Sequence, residues 1–254
     1  MNIVQAIILS IVEGITEFLP ISSTGHLILA SKVLQVAQSE FVKSFEIAIQ
    51  GGAILSVIFL YVNKIKDKEV LKRVIWTFIP TAALGFILYK IIKKVLLGNT
   101  LVVILSLLIG GIVMIILEKY FQKRSLDKKI NQLTFKESLS LGVIQTISVI
   151  PGVSRSATTI LGAMWFGLSR EAATEFSFML AVPVLLAATG LDLVKSLNTF
   201  NSQNIPVLGL GMIVSFITCL IAIKWLLNYV KNHNFIFFGI YRITIALLFL
   251  LLVH

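Results

Sequence analysis

Long apolar runs separated by short charged segments dominate this chain. A helix that crosses a bilayer needs about 20 apolar residues. Six runs approach or exceed that length, at residues 44–62, 74–92, 101–118, 174–194, 205–227 and 235–253. The pattern predicts an all-α polytopic membrane protein with about six transmembrane helices, forming one membrane domain over residues 1–254.

Two further apolar regions do not read as simple spans. Residues 3–37 are interrupted at Pro20–Gly25, and residues 135–168 are interrupted at Pro151–Ser156. Each half makes roughly 15–25 Å of helix, which is short for a crossing. This predicts two re-entrant helix-loop-helix hairpins. Irregular backbone at membrane depth must be buried in protein or line a wet cavity, so we expect both breaks to lie inside the molecule.

The two interrupted regions indicate an internal repeat. A displacement of 131 residues places Pro20 on Pro151 and Ser23 on Ser154. Each half, approximately 1–125 and 132–254, is then one hairpin followed by three spans. Because three is odd, the second half is predicted to be inverted relative to the first. Inverted repeats of this kind place their binding site near the midplane, where the broken helices meet.

Composition supports a membrane protein and excludes several other classes. Hydrophobic residues make up 57% of the chain and charged residues 13%, whereas soluble domains carry about 25% charged residues. The single cysteine, Cys219, excludes disulfides and cysteine-based metal sites. The net charge of +10 is spread over loops and not gathered into one soluble patch, so nucleic-acid binding is not expected.

The basic residues also predict an orientation. Loops 63–73, 119–134 and 228–234 carry most of the lysines and arginines that lie between spans. They fall on one side if the second hairpin is re-entrant, and by the positive-inside rule that side is cytoplasmic. The basic loops are then placed to contact anionic membrane lipids. The first hairpin is predicted to enter from outside and the second from inside.

The first interrupted region carries two carboxylates in an apolar setting. Glu13 and Glu17 are four residues apart and therefore share one face of a helix. Ionisable groups at membrane depth are costly and indicate a functional site. Two carboxylates at this spacing suit a hard divalent cation, Mg²⁺ or Ca²⁺, and one of them is equally suited to act as a base.

The first break combines a helix breaker, three hydroxyls and a histidine. Pro20 ends the first helix, and hydroxyl side chains are well suited to cap the second. Free N–H groups at a helix start favour an anion. His26 is a candidate to accept a serine proton or to protonate a leaving group. The residues between Ile21 and His26 are Ser22, Ser23, Thr24 and Gly25.

The second break supplies a positive charge. Arg155 is the sole charged residue between Glu137 and Arg170. Guanidinium binds phosphate through a two-pronged set of hydrogen bonds. The hydroxyls around it belong to Ser154, Ser156, Thr158 and Thr159. Two helix starts with hydroxyls and one arginine are predicted to form a phosphate cradle.

Further polar residues interrupt the long apolar runs. They are Glu46, Gln50, Glu175, Asp192 and Arg242. We expect them chiefly to be partners in helix packing. Glu46 and Gln50 are four residues apart, so Gln50 is also a candidate for substrate binding.

At these residues the sequence resembles the undecaprenyl-diphosphatase family of bacterial membranes, which is associated with bacitracin resistance. The resemblance rests on EGITEFLPISSTGH and PGVSRS, supported by FEIAIQGG, EFSFMLAVP and IYR. It implies hydrolysis of undecaprenyl diphosphate to the monophosphate and phosphate, which recycles the lipid carrier for cell-wall polymers. It also implies a divalent cation, a homodimer, and a site open to the outer face of the bacterial plasma membrane.

By motif position, the resemblance implies roles for individual residues. Glu13 and Glu17 match the family's acidic pair and are the predicted metal ligands, while Ser23, His26 and Arg155 match its remaining site residues. The predicted catalytic set is Ser23, His26, Glu17 and Arg155. The predicted substrate-binding set is Ser22, Thr24, Gly25, Ser154, Ser156, Thr159 and Gln50.

The mechanism that this set suggests is attack by Ser23 on the terminal phosphorus, with His26 managing the proton. Direct attack by water is the rival. A transporter or flippase of an anionic lipid or solute is the first alternative, because inverted repeats with broken helices are typical of transporters.

Two other classes fit less well. SSTGH is faintly similar to the PSGH motif of phosphatidic-acid-type phosphatases. Those enzymes need a second, downstream histidine, and here only His233 and His254 follow, both poorly placed. A purely structural scaffold leaves the buried charges unexplained.

Overall fold

The computed structural model describes residues 1–37, 39–95, 99–196 and 205–253. These residues form ten α-helices and no β-strand, which agrees with the predicted all-α class. The six predicted spans correspond to α3 (Glu40–Ile65), α4 (Lys68–Val95), α5 (Thr100–Phe121), α8 (Arg170–Ser196), α9 (Ile205–Asn232) and α10 (Ile236–Val253). By length and composition, α3, α4, α5, α8 and α9 are able to cross a membrane. α10 is a shorter apolar helix over its described side chains, which end at Leu251.

Both interrupted regions fold as pairs of short helices. The first consists of α1 (Ile3–Thr16) and α2 (Ser23–Val33). The second consists of α6 (Phe135–Gln145), a 3₁₀ turn at Thr146–Val149, and α7 (Arg155–Trp165). The four α-helices are 11 to 14 residues long, or roughly 16–21 Å. The breaks lie where the two prolines and the polar runs predicted them.

Matching caps at matching positions explain why the two hairpins begin and break alike. Asn2 starts α1 with a reciprocal capping box, and Thr134 starts α6 in the same way. Ser22 caps α2 at φ 74°, and Ser154 caps α7 at φ 76°. Both pairs are 132 residues apart. In the structure, the residue equivalent to Ser154 in the first hairpin is therefore Ser22. The displacement of 131 residues predicts Ser23 as its equivalent. The inverted orientation of the two halves stays a prediction.

Close helix contacts at glycine hold the first hairpin in the core. α9 packs against both α1 and α3. A methyl group at Gly14 would collide with Thr218 of α9, and one at Gly52 would collide with the Met212 carbonyl. These positions require glycine because the backbones touch. The carboxylate-bearing end of α1 is therefore fixed against two long helices.

Ion pairs and hydrogen bonds gather the basic loops at one end of the molecule. Lys64 Nζ lies 2.6 Å from Glu175 Oε1, and Lys231 Nζ lies 3.9 Å from Glu171 Oε1. Arg73 Nη2 donates to the Asn131 carbonyl at 3.2 Å. Loops 63–73, 119–134 and 228–234 thus lie together, as the charge pattern predicts. The Asp192 side chain and His254 fall outside the described part of the chain.

Candidate active site

The two breaks are in direct contact. Arg155 Nη2 lies 3.2 Å from Glu17 Oε1 and 3.3 Å from the Glu17 carbonyl oxygen. Ser156 Oγ donates to the Leu19 carbonyl at 2.7 Å. The side chains of Arg155 and Glu17 are 10% and 4% exposed, so this ion pair is almost fully desolvated. Residues 138 positions apart in the sequence therefore form one buried polar centre.

Neighbours on three sides fix the Arg155 guanidinium. Arg155 is the first residue of α7, and its Nη1 donates to the Ser177 carbonyl at 3.0 Å. Its Cζ lies 5.1 Å from the centroid of the Phe18 ring, a cation–π distance. Arg155 Nε has no hydrogen-bond partner among the residues that the structure describes. The guanidinium is held in place yet keeps an unused donor, as an anion site requires.

Glu17, and not His26, accepts the hydrogen bond from the Ser23 hydroxyl in this structure. Ser23 Oγ donates to Glu17 Oε2 at 2.5 Å. His26 Nδ1 lies 2.7 Å from the Ser22 carbonyl, and because a carbonyl only accepts, Nδ1 is the donor. His26 Nε2 then accepts from the Tyr241 hydroxyl at 2.8 Å, in the neutral ring. Both ring nitrogens thereby have partners other than Ser23 in this structure, and a role for His26 with the Ser23 proton stays a prediction.

Glu13 is a buried carboxylate, 1% exposed. Among the described residues, neither of its oxygens accepts a hydrogen bond from an N–H or hydroxyl group. Glu17 and Glu46 are both close enough to repel its charge, while Arg155 attracts it. A buried carboxylate in this position needs a proton or a cation to offset its desolvation.

These carboxylates fit part of a divalent cation site. Oxygen ligands suit Mg²⁺ or Ca²⁺, and Mg²⁺ often takes one or two carboxylates, with substrate phosphates and water completing its shell. The orphaned oxygens of Glu13 and the unused lone pairs of Glu17 meet that description. Within the described residues no group of three or more His, Cys, Asp and Glu side chains is arranged to hold a metal alone. Substrate oxygens would have to complete the coordination.

Several predicted substrate-binding residues serve as helix caps. Ser22 Oγ accepts from the Gly25 amide at 3.4 Å, and Ser154 Oγ accepts from the Ala157 amide at 3.2 Å. Ser154 Oγ also lies 3.1 Å from Ser156 Oγ. Both helix starts therefore face the shared centre with hydroxyls already oriented.

Three other predicted residues lie less directly at the centre. Thr24 is exposed beside the first break, and Gln50 is half-buried on α3, one turn beyond Glu46. Thr159 is fully buried, and its hydroxyl donates to the Arg155 carbonyl at 2.9 Å. Thr159 thus braces α7 from within, and its role in substrate binding stays a prediction.

Sequence reasoning gave no site role to Ser177, Tyr241 or Arg242. Arg242 is 0% exposed. Its Nη1 donates to the carbonyls of Val153 (2.9 Å) and Pro20 (3.4 Å). Its Nη2 donates to the carbonyls of Gly152 (3.0 Å) and Ser106 (3.1 Å). An arginine inside the apolar run 235–253 was the available signal, and it predicted only a packing partner.

Comparison with known proteins agrees with this architecture. A family model described as bacitracin resistance protein BacA matches residues 6–248. The undecaprenyl-diphosphatase of Aquifex aeolicus (strain VF5) is 52% identical over 246 residues, covering 96% of each chain. Those of Sulfurihydrogenibium sp. (strain YO3AOP1) and Persephonella marina (strain DSM 14350 / EX-H1) are 48% and 46% identical, covering 99% and 100% of each chain. The chain belongs to the bacitracin resistance protein BacA family.

Proposed function

We propose that this protein hydrolyses undecaprenyl diphosphate to undecaprenyl phosphate and inorganic phosphate, and so recycles the lipid carrier for cell-wall polymer synthesis. One observation carries the proposal. Glu17 lies between the Arg155 guanidinium and the Ser23 hydroxyl, at the junction of two broken hairpins. This places an anion-binding group, a base and a nucleophile within one buried centre. The relatives named undecaprenyl-diphosphatase supply the substrate class.

In the proposed reaction, the diphosphate enters between the hairpins and takes the place of Glu17 as partner of Arg155. Glu17 then removes the Ser23 proton along the existing 2.5 Å hydrogen bond. Ser23 Oγ forms a bond to the terminal phosphorus, and the bond from that phosphorus to the bridging oxygen breaks. Undecaprenyl phosphate leaves with that oxygen, and water later hydrolyses the phosphoserine. Such transfers depend mainly on positioning and charge stabilisation.

Other residues orient this centre. His26 holds the start of α2 through its bond to the Ser22 carbonyl, so its proposed role is positioning. Ser22 and Ser154 set the direction of the two helix starts, whose partial positive ends favour the diphosphate. Water attacking directly, with Glu17 as its base, is the competing route.

Glu13 and Glu17 would hold a divalent cation, Mg²⁺ or Ca²⁺. When bound, that cation neutralises charge on the diphosphate. Glu13 is suited to this role because no N–H or hydroxyl group in the described part of the chain donates to its oxygens.

We place the protein in the bacterial plasma membrane as a multi-pass protein, with the three basic loops cytoplasmic and the site open to the outer face. A homodimer follows from the family resemblance alone. Transport of an intact lipid needs no nucleophile and no base, so the Ser23–Glu17 contact favours hydrolysis over transport.

The test is phosphate release from undecaprenyl diphosphate by purified protein in detergent, with and without chelator. We expect metal-dependent release, reduced about 100-fold in Arg155→Lys because the two-pronged contact is lost. Arg170→Lys is the matched control, since Arg170 pairs with Glu118 away from the breaks. No release by the wild-type protein would refute the function. Full activity in Ser23→Ala would leave only the water route.

A further inference from the structure

Adjacent residues on α10 reach both breaks at once. Tyr241 contacts His26 at the start of α2, and their rings stack at 5.6 Å with planes 3° apart. Arg242 donates to Pro20 in the first break and to Gly152 and Val153 in the second. Among the hydrogen bonds that the structure gives for Arg242, every acceptor is a backbone carbonyl.

These carbonyls need a donor from elsewhere in the fold. At each break the helical hydrogen-bond ladder is interrupted, and the Arg242 bonds to the freed carbonyls of Pro20 and Gly152 are buried. Guanidinium offers five donors in a planar fork, enough for carbonyls from two loops.

α5 leaves room for this arrangement. A methyl group added at Gly110 would collide with Nη2 and Cζ of Arg242. Because Gly110 has no side chain, the Arg242 guanidinium can lie against α5 and still reach the loops. The Ser106 carbonyl, one turn away on α5, accepts from the same Nη2 at 3.1 Å.

We propose that Tyr241 and Arg242 are positioning residues that set the distance between the two helix starts, and thereby between Ser23 and Arg155. Neither side chain touches the proposed reacting atoms. Arg242 holds the loops by their carbonyls, and Tyr241 holds α2 through His26. The catalytic part of this inference rests on the proposed function, while the structural part does not.

The first experiment measures steady-state kinetics of Arg242→Lys on undecaprenyl diphosphate. Lysine keeps the charge but loses the fork, so we expect kcat to fall about 100-fold while KM changes less than about threefold. Arg170→Lys, which alters a partly buried arginine paired with Glu118, is expected to leave kcat within about twofold. In a double-mutant cycle, Arg242→Lys should lower kcat little further once Arg155→Lys is present. Both substitutions disturb the same placement of Arg155 relative to Ser23.

A second variant covers the case in which Arg242→Lys does not fold. Gly110→Ala keeps the arginine but displaces its guanidinium, and it is expected to lower kcat in the same way. Gly209→Ala is its control, because no described neighbour lies within 4 Å of a methyl group added there. Equal kcat values for Gly110→Ala and Gly209→Ala would overturn the proposal, as would additive losses for Arg242→Lys and Arg155→Lys.

Hydrogen–deuterium exchange gives a readout that is independent of catalysis. We expect Arg242→Lys to raise exchange in segments 17–26 and 150–158 together, and Arg170→Lys to leave both unchanged. Faster exchange in only one segment, or in neither, would overturn the inference even if the protein is an active phosphatase. Faster exchange in both, without phosphate release by the wild type, would uphold the positioning and refute the function.

Discussion

Ser22 and Ser154 share a backbone conformation that side chains rarely adopt, with φ near 75°. Holding a non-glycine residue there costs about 1–3 kcal/mol, and such strain concentrates at functional sites. Each serine also caps a helix that faces the proposed cradle. The same strained backbone therefore occurs at the same position of both breaks, and in each the serine hydroxyl caps the following helix.

Substitutions of Ser154 can therefore distinguish an effect on stability from an effect on activity. Ser154→Gly relieves the strained φ and loses only a few tenths of a kcal/mol as a cap, so the melting temperature is expected to rise. Ser154→Ala loses the cap and keeps the strain, and we expect a loss of about 1–2 kcal/mol. If the hydroxyl orients the diphosphate, phosphate release falls in both variants. Wild-type activity in Ser154→Gly would show that the hydroxyl is only a cap.

At this scale the sequence located the carboxylates, the serines and Arg155, because charged and hydroxyl groups are conspicuous inside apolar runs. It could not show which groups bond. His26 stands three residues from Ser23, yet it bonds Tyr241, 215 residues away. Hydrogen-bond partners so far apart in the sequence depend on tertiary packing, which the local sequence pattern does not predict.

Among the elements, the second break depends on one glycine. Gly152 has φ 92°, and a methyl group there would lie 2.6 Å from the Val103 carbonyl oxygen. Gly152→Ala is expected to destabilise the protein by about 2–4 kcal/mol, from backbone strain and the clash. Gly85→Ala, where no described atom outside the local helix backbone lies within 4 Å of the added methyl group, serves as the control and should be neutral or stabilising. Equal melting temperatures for the two variants would contradict this account.

The start of α6 offers a pH test outside the spans. Burial raises the pKa of Glu137, but hydrogen bonds from Thr134 and Lys128 outweigh that, so its pKa lies below the usual value. The stabilisation is therefore present above the unfolded pKa, about 4.3, and is lost as pH falls through the lower folded pKa. Glu137→Gln is expected to cost about 1 kcal/mol at pH 7.

Melting temperatures of wild type and Glu137→Gln, compared between pH 7 and pH 3, check this sign. The gap between them should close at the acid end of the series. A gap that widens with acidification would exclude the carboxylate as the cause. Glu171→Gln, at an exposed and long ion pair, is expected to show a smaller gap throughout.

Element boundaries were largely predictable, because apolar runs and prolines mark helix ends strongly. The breaks at Pro20 and Pro151 are the clearest cases. The repeat register was harder: matching Ser23 to Ser154 by residue type missed the structural equivalence of Ser22 by one position. Cap conformation fixes that register, and adjacent serines look identical in a sequence.

For the whole molecule, the predicted orientation places the two ends of α3 on opposite sides of the membrane, where a labelling reagent can reach them separately. In a Cys219→Ser background, a membrane-impermeant maleimide should label Lys43→Cys in intact spheroplasts and Lys66→Cys only after permeabilisation. Cys219 itself is buried, so the background change removes little reactivity. The reverse labelling pattern would invert the proposed topology and move the site to the cytoplasmic face.

The reach of Arg242 has a consequence for biosynthesis. The ribosome releases the first hairpin into the membrane long before it translates codon 242. Until α10 is inserted, the Pro20 carbonyl and its counterparts in the second break lack this donor. We therefore expect nascent chains that stop short of Arg242 to be recognised by membrane quality-control proteases, with a sharp gain in lifetime once that residue has been added.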